Sequence, residues 1–223
     1  MKDIQAFFFD FDGVLADSVE VKTQAFARLF ESFGPEIEAK VIDHHRRNGG
    51  MTRVDKFHYY YKEFLKEALS DEMLVELCGQ FSKLVVDKVV SSPEIKGAEA
   101  FLIKWYEHIP CYVISATPDD EIRKIVRRRG LETYFKEILG SSASKKENLK
   151  RLLNEHRFNP AKCLFFGDAE SDYLAAKECK VHFIAILAES DAPLLKIVPD
   201  VKWVANFEAL MELSPLIDSG FRD

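Results

Sequence analysis

Ile4-Gln5-Ala6-Phe7-Phe8-Phe9-Asp10-Phe11-Asp12-Gly13 is the stretch that decides how this chain folds. The near-continuous apolar run from Ile4 to Phe9 is short and aromatic, the pattern of a strand buried on both faces. Strand side chains alternate with a period of two, so Asp10 and Asp12, at i and i+2 where the strand ends, would point the same way. Two carboxylates at the carboxyl edge of a buried sheet put negative charge where open α/β folds bind ligands. Like charges so placed invite a cation, or one carboxyl keeps its proton. Gly13 lets the chain turn sharply. Asp and Gly are also common turn formers, so ordinary turn residues after a strand would look the same. The rest of the chain has to separate the two readings.

Its 223 residues suit one domain with a large insertion, or two small domains. A hydrophobic content of 47% is enough to build a core, so disorder is not expected. The net charge of −6 and the lack of a dominant basic cluster argue against nucleic acid as a partner. Arg127-Arg128-Arg129 fits the last turn of a helix, where cations complement the dipole. No apolar stretch approaches the roughly 20 residues of a spanning helix, so no membrane is expected. Met1-Lys2-Asp3, followed by few apolar residues before Asp10, is unlike a signal peptide. Cys78, Cys111, Cys163 and Cys179 show no C-x-x-C spacing and read as reduced residues of a cytoplasmic protein. His44 and His45 are adjacent and would diverge on a helix, which makes them a poor chelate.

Residues 18 to about 90 show only helical patterns. Ser18 can cap a helix ending at Gly34-Pro35. Thr52-Arg53-Val54-Asp55 resembles a capping box, with Val54, Phe57, Tyr61, Phe64, Leu65 and Ala68 following at helical spacing. Ser70 opens a further helix that ends at Ser91-Ser92-Pro93. Elsewhere strands and helices alternate. Strands are predicted at 4–9, 111–114, 138–139, 163–166 and 182–187, and helices at 98–105, 119–129, 145–156 and 170–178. This is the pattern of a parallel sheet covered on both faces, a Rossmann-like three-layer αβα core. Right-handed crossovers put all the strands' carboxyl ends on one edge. An all-helical block (18–91) inserted after the first strand would then sit above that edge as a lid on a core of 1–17 and 92–223, hinged near Ala16–Ser18 and Val90–Lys96.

The residues just past each strand carry the chemistry. Asp10 and Asp12 follow the first, Ser115-Ala116-Thr117 the second, Ser144-Lys145-Lys146 the third and Gly167-Asp168, then Asp172, the fourth. Together they suit a hard cation and a phosphate. Mg²⁺ favours oxygen ligands, taking one or two carboxylates, waters and substrate phosphate. Asp10 and Asp168 can supply carboxylates, and Asp172 can bind directly or orient a metal water. Ser115 and the backbone N–H of Ala116 offer donors to phosphate, and Lys145 a point charge. Ser144-x-x-Glu147 has the form of a capping box, which would start a helix that aims Lys145 at the site. With the charge so shielded, a carboxylate can attack phosphorus while the other aspartate moves protons. Each piece has a plainer reading taken alone: Ser115 and Thr117 could cap the helix opening at Asp119, Lys145 could be solvated, and Asp168 and Asp172 could serve a helix dipole.

The four pieces in this order resemble the haloacid dehalogenase superfamily, in particular members with a helical cap similar to phosphoglycolate phosphatases and β-phosphoglucomutases. Asp10-Phe11-Asp12-Gly13-Val14-Leu15 resembles the first motif, Val113-Ile114-Ser115 the second, Lys145 (with Lys146 as the alternative) the third and Gly167-Asp168-Ala169-Glu170-Ser171-Asp172 the fourth. The resemblance implies Asp10 as nucleophile and Asp12 as general acid/base. It implies Mg²⁺ on the Asp10 carboxylate, the Asp12 carbonyl and Asp168, with Ser115 and Lys145 on the phosphoryl group. Carbon dehalogenases of the family lack the aspartate two places after the nucleophile, so Asp12 favours phosphoryl transfer. The expectation is therefore a phosphatase of a small phosphorylated metabolite, a sugar phosphate among the candidates, in a monomer or weak homodimer. A phosphomutase is the enzymatic alternative, and a silent binding protein a third. In the cap, Gly50 and Arg53 within Asn48-Gly49-Gly50-Met51-Thr52-Arg53 are candidate substrate contacts, Arg53 resembling the arginine with which mutases hold a second phosphate.

Overall fold

The computed structural model describes residues 4–190 and 192–213. The signal-peptide reading of Met1-Lys2-Asp3 and the outer ends of the expected core, 1–3 and 214–223, lie outside them. Six strands form one parallel sheet: β1 (Ala6–Phe9), β2 (Cys111–Ile114), β3 (Glu137–Leu139), β4 (Cys163–Gly167), β5 (His182–Ile186) and β6 (Trp203–Val204), in the order β3-β2-β1-β4-β5-β6. β1 lies at the centre, Phe9 in register with Val113 on one side and Phe166 on the other. From β1 the sheet grows outward in both directions, and the crevice at such a reversal is where α/β sheets bind ligands.

Between β1 and β2 the chain forms α1 (Val19–Phe30), α2 (Pro35–Arg47), α3 (Arg53–Tyr59) and α4 (Asp71–Ser91). Their apolar faces meet around Phe26, Phe30, Val41, Phe57, Tyr60, Phe81 and Val85, all buried. Phe26 anchors this cluster, its ring 4.3 Å from that of Phe81 and 5.5 Å from that of Phe57. Thr52 caps α3 as its sequence predicts, accepting from the N–H of Asp55. α3 then widens into a π-helical turn over Tyr60–Leu65, closed by Lys66 at φ +60°. Ser18 departs from expectation. Its hydroxyl makes no cap and instead donates to Asp12 Oδ1 at 2.6 Å. Having an acid within reach is worth more to a buried hydroxyl than the N–H groups of a helix end. α1 also stops earlier, passing through a 3₁₀ turn (Glu31–Phe33) before Gly34.

The remaining helices cover the sheet: α5 (Ala98–Trp105), α6 (Asp119–Arg128), α7 (Lys145–Glu155), α8 (Glu170–Glu178), α9 (Pro193–Ile197) and α10 (Phe207–Glu212). The period of two in β1 divides the core. Phe7 and Phe9 face Phe101 of α5 and Phe166, with Phe207 of α10 against Phe9, whereas Ala6 and Phe8 face the layer holding Leu149 and Leu152 of α7. All four β1 side chains are inaccessible to water, and each phenylalanine so buried is worth about 1.5–3 kcal/mol. β6, α9 and α10 were not expected. They are two, five and six residues long, too short for any periodicity to show.

Candidate active site

The fold brings the four strand-end segments together. Asp10 follows β1 directly, and its carboxylate is held on both oxygens: Oδ1 accepts from the N–H of Phe11 at 2.7 Å and Oδ2 from Lys145 Nζ at 2.7 Å. Lys145 is the first residue of α7, where the reciprocal Ser144–Glu147 capping box sets the helix start and so the direction of the side chain. Of the two adjacent lysines, Lys146 turns outward to Glu178 while Lys145 is buried. The Lys145 ammonium is shared with Asp172 Oδ1 at 2.6 Å, and Asp172 Oδ2 accepts from the N–H of Ala169. Burial alone would lower the Lys145 pKa, but the charges of Asp10 and Asp172 outweigh it and fix the ammonium.

Asp168 completes an acidic cluster with Asp10 and Asp172, an oxygen of each lying within 4.8 Å of the others. Gly13, at φ +78°, makes room for it: a Cβ there would come within 2.3 Å of Asp168 Oδ2. Burial and the charges of Asp10 and Asp172 push Asp168 well above the usual carboxylate range. Burial likewise pushes Asp172 to about 7, despite Lys145. Three carboxylates against one ammonium leave two negative charges crowded together, and an all-oxygen donor set of that charge fits a hard divalent cation.

The side chain of Asp12 turns the other way. Its carboxylate takes the hydroxyl of Ser18, Lys22 Nζ at 2.5 Å and the Thr117 hydroxyl at 3.4 Å, and it contributes no oxygen to the cluster. Burial would raise its pKa, but the charge and hydrogen bond of Lys22, with the bond from Ser18, bring it below the usual range. Ser115 is buried behind β2, and its Oγ accepts from the Thr117 N–H, which leaves the hydroxyl proton to donate elsewhere. Neither Ser115 nor Thr117 caps α6; the residue in that position is Pro118, without a side-chain bond. Thr117 instead links Asp12 and Lys22.

A cavity of about 50 Å³ lies between these segments and the helical block, lined on the core side by Asp10, Asp12, Ala116, Thr117 and Asp168. Arg53 also lines it, but its guanidinium is forked onto Glu121 of α6 and bonded to Ser82 at 2.6 Å, with Phe81 4.6 Å beneath. Gly50 packs on Ser171, whose Oγ would meet a Cβ there at 1.8 Å, and so brings the loop before α3 against the α8 start. Of the donors His44, His45, Arg46 and Arg47 that the sequence offers near the cap stretch, His45 of α2 lines the cavity, as do two cations not picked out by sequence, Lys22 of α1 and Lys56 of α3. The only trace of Lys56 is its position one helical turn after Arg53 on the face that also carries Phe57.

The family model described as haloacid dehalogenase-like hydrolase matches residues 7–186. Among curated proteins, the phosphoglycolate phosphatase of Aliivibrio fischeri is 24% identical over 194 residues, covering 83% of this chain and 85% of that protein. That of Vibrio vulnificus is 25% identical over 186 residues, covering 79% and 80%. Among solved structures, the β-phosphoglucomutase of Clostridium difficile superposes with a TM-score of 0.76 at 19% identity, covering 97% of this chain and 100% of that one. A haloacid dehalogenase-like family hydrolase from Streptococcus pneumoniae gives 0.72 at 23%, covering 96% and 100%. At these identities the structural likeness speaks for the fold. With the family match spanning the sheet from β1 to β5, the chain belongs to the haloacid dehalogenase-like hydrolases.

Proposed function

We propose that the protein is a Mg²⁺-dependent phosphatase of a small phosphorylated metabolite, working through an aspartyl-phosphate on Asp10. The observation that carries this is the pairing of Asp10 with Lys145 beside Asp168, in a pocket that Asp12 also lines. Asp10 attacks phosphorus as the bond to the leaving oxygen breaks, and Lys145 and the Ser115 hydroxyl hold the phosphoryl oxygens. The negative charge of the arriving phosphate favours a proton on Asp12, which Asp12 gives to the leaving oxygen. Asp12 then takes a proton from the water that cleaves the acyl phosphate, restoring Asp10. In the free protein Lys22 and Ser18 keep its pKa below the usual range, so it rests as a carboxylate. Asp172, bonded to Lys145 Nζ, positions that lysine. Mg²⁺, held by Asp10, Asp168 and the Asp12 main-chain carbonyl, would neutralise charge on the phosphoryl oxygens.

Residues 18–91 act in this reading as a cap over the core of 1–17 and 92–223. The bonds from Arg129 Nη1 to the carbonyls of Val89, Val90 and Ser92 brace one of its hinges. Arg53, the arginine the mutase alternative would use to hold a second phosphate, is instead forked onto Glu121. All four cysteines are free thiols, as suits a reducing cytoplasm, and a monomer or weak homodimer suffices because every residue invoked comes from one chain. The test is a panel of phosphorylated metabolites, assayed with Mg²⁺ and with EDTA, for the natural enzyme and Asp10→Asn. Phosphate release that depends on Mg²⁺ and is lost in a folded Asp10→Asn protein is expected. Full activity of that variant would reject the mechanism.

A further inference from the structure

Three cations line the cavity from the helical block: Lys22, Arg53 and Lys56. Two are already neutralised, Lys22 by Asp12 and Arg53 by Glu121. Lys56 differs. It is 1% exposed, and among the described residues no carboxylate lies within ion-pair distance of it. Its one hydrogen-bond partner is His45 Nδ1, at 2.8 Å. The His45 ring is also hydrogen-bonded to the backbone of Val19, and burial drives its pKa to about 2, so it is a neutral imidazole that gives Lys56 a lone pair and no charge. The ring of Phe26 forms the remaining wall, 5.5 Å from Lys56 Nζ. A buried lysine without a counter-charge is costly, and a fold keeps one where a ligand supplies the missing anion.

Resting on the phosphatase reading above, we propose that Lys56 is the specificity residue of the cap and that the leaving group of the substrate carries its own anionic group, which Lys56 binds. A carboxylate and a second phosphate share this chemistry. The groups facing Lys56 support the assignment. Lys22 on α1 and Lys145 on α7 repel its charge, Asp12 is already paired with Lys22 and Asp168 belongs to the acidic cluster, and desolvation, the largest effect, holds it near 7. An arriving anion would therefore draw a proton onto Lys56 and bind as an ion pair shielded from water.

The experiment compares three phosphate monoesters in the Mg²⁺-loaded protein: glycerol 2-phosphate with a neutral leaving group, 2-phosphoglycolate with a carboxylate, and 1,3-propanediol bisphosphate with a second phosphate. The readout is the ratio of kcat/KM for each anionic probe to that for the neutral one, with Kd ratios measured in the Asp10→Asn background. Because each is a ratio within one protein, partial loss of folded material cancels. The natural protein should favour at least one anionic probe tenfold or more, and which one identifies the anion. Lys56→Met should bring that ratio close to one, and Lys56→Arg should keep part of it. An unchanged ratio in Lys56→Met, or a preference for the neutral probe, overturns the inference and leaves the phosphatase standing. Failure of the natural protein to hydrolyse any of the three and a wider monoester panel overturns both.

Discussion

The proton balance of His45 can be worked out from its surroundings. It is 3% exposed and held neutral, with a folded pKa near 2 against 6.5 when solvated. Between those values the unfolded chain binds the extra proton, so stability from this group is complete above pH 6.5 and is lost as the pH falls. At pH 5 the loss is about 2 kcal/mol, a figure set by the unfolded pKa so long as the folded ring stays neutral. The urea midpoint of the natural protein is therefore expected to fall more steeply between pH 7 and 5 than that of His45→Gln. Parallel slopes would mean that the buried ring accepts a proton. Of the residues at this scale, Asp10, Asp12, Lys145 and Asp168 could be found in the sequence because each stands at a fixed distance from an apolar strand. Lys22 and Lys56 could not, and His45 could not be told from its neighbouring donors, since a cation or imidazole on a helix looks the same in the sequence whether it faces water or a cavity.

At the scale of the elements, the start of α7 converts a local sequence rule into chemistry. Ser144 and Glu147 satisfy each other's backbone N–H groups, and Lys145 leaves the helix at the one residue between them and the site that can reach Asp10. Ser144→Ala should cost about 1 kcal/mol in chemical denaturation. It should also lower kcat, because the first turn that orients Lys145 frays, while Ser144→Asp should retain most of both. A stability loss with kcat intact would show that Lys145 is oriented by its carboxylates alone. Such caps are written in the sequence, and both Thr52 and Ser144 fulfil theirs. Ser18 has the same credentials but bonds to Asp12. A cap rule considers only neighbours along the chain, and here a carboxylate six residues back competes for the hydroxyl.

At the scale of the whole molecule, helical block and core are tied by Arg53 and Glu121, a buried pair at 7% and 9% side-chain exposure, with Gly50 seated on Ser171 nearby. Removing one partner of such a pair leaves an unmatched charge out of water and typically costs about 3–5 kcal/mol. Glu121→Ala should therefore favour separation of the block from the core, seen as a larger radius of gyration in small-angle scattering and faster proteolysis between residues 47 and 53. Arg53→Met combined with Glu121→Leu should restore compactness. If the single variant scatters like the natural protein, the pair does not hold the two parts together. Strand period, turn chemistry and helix caps are short-range rules, and they made the parallel sheet, the helical insertion and the order in which acids, hydroxyl and lysine arrive at one edge legible from the chain. Packing at long range set the rest: Arg53 meets Glu121, Asp12 turns toward Lys22, and Lys56 stands in the cavity with no ion-pair partner among the described residues. Those outcomes depend on which distant charge lies within about 4 Å in a dry pocket, and no spacing along the chain records that distance.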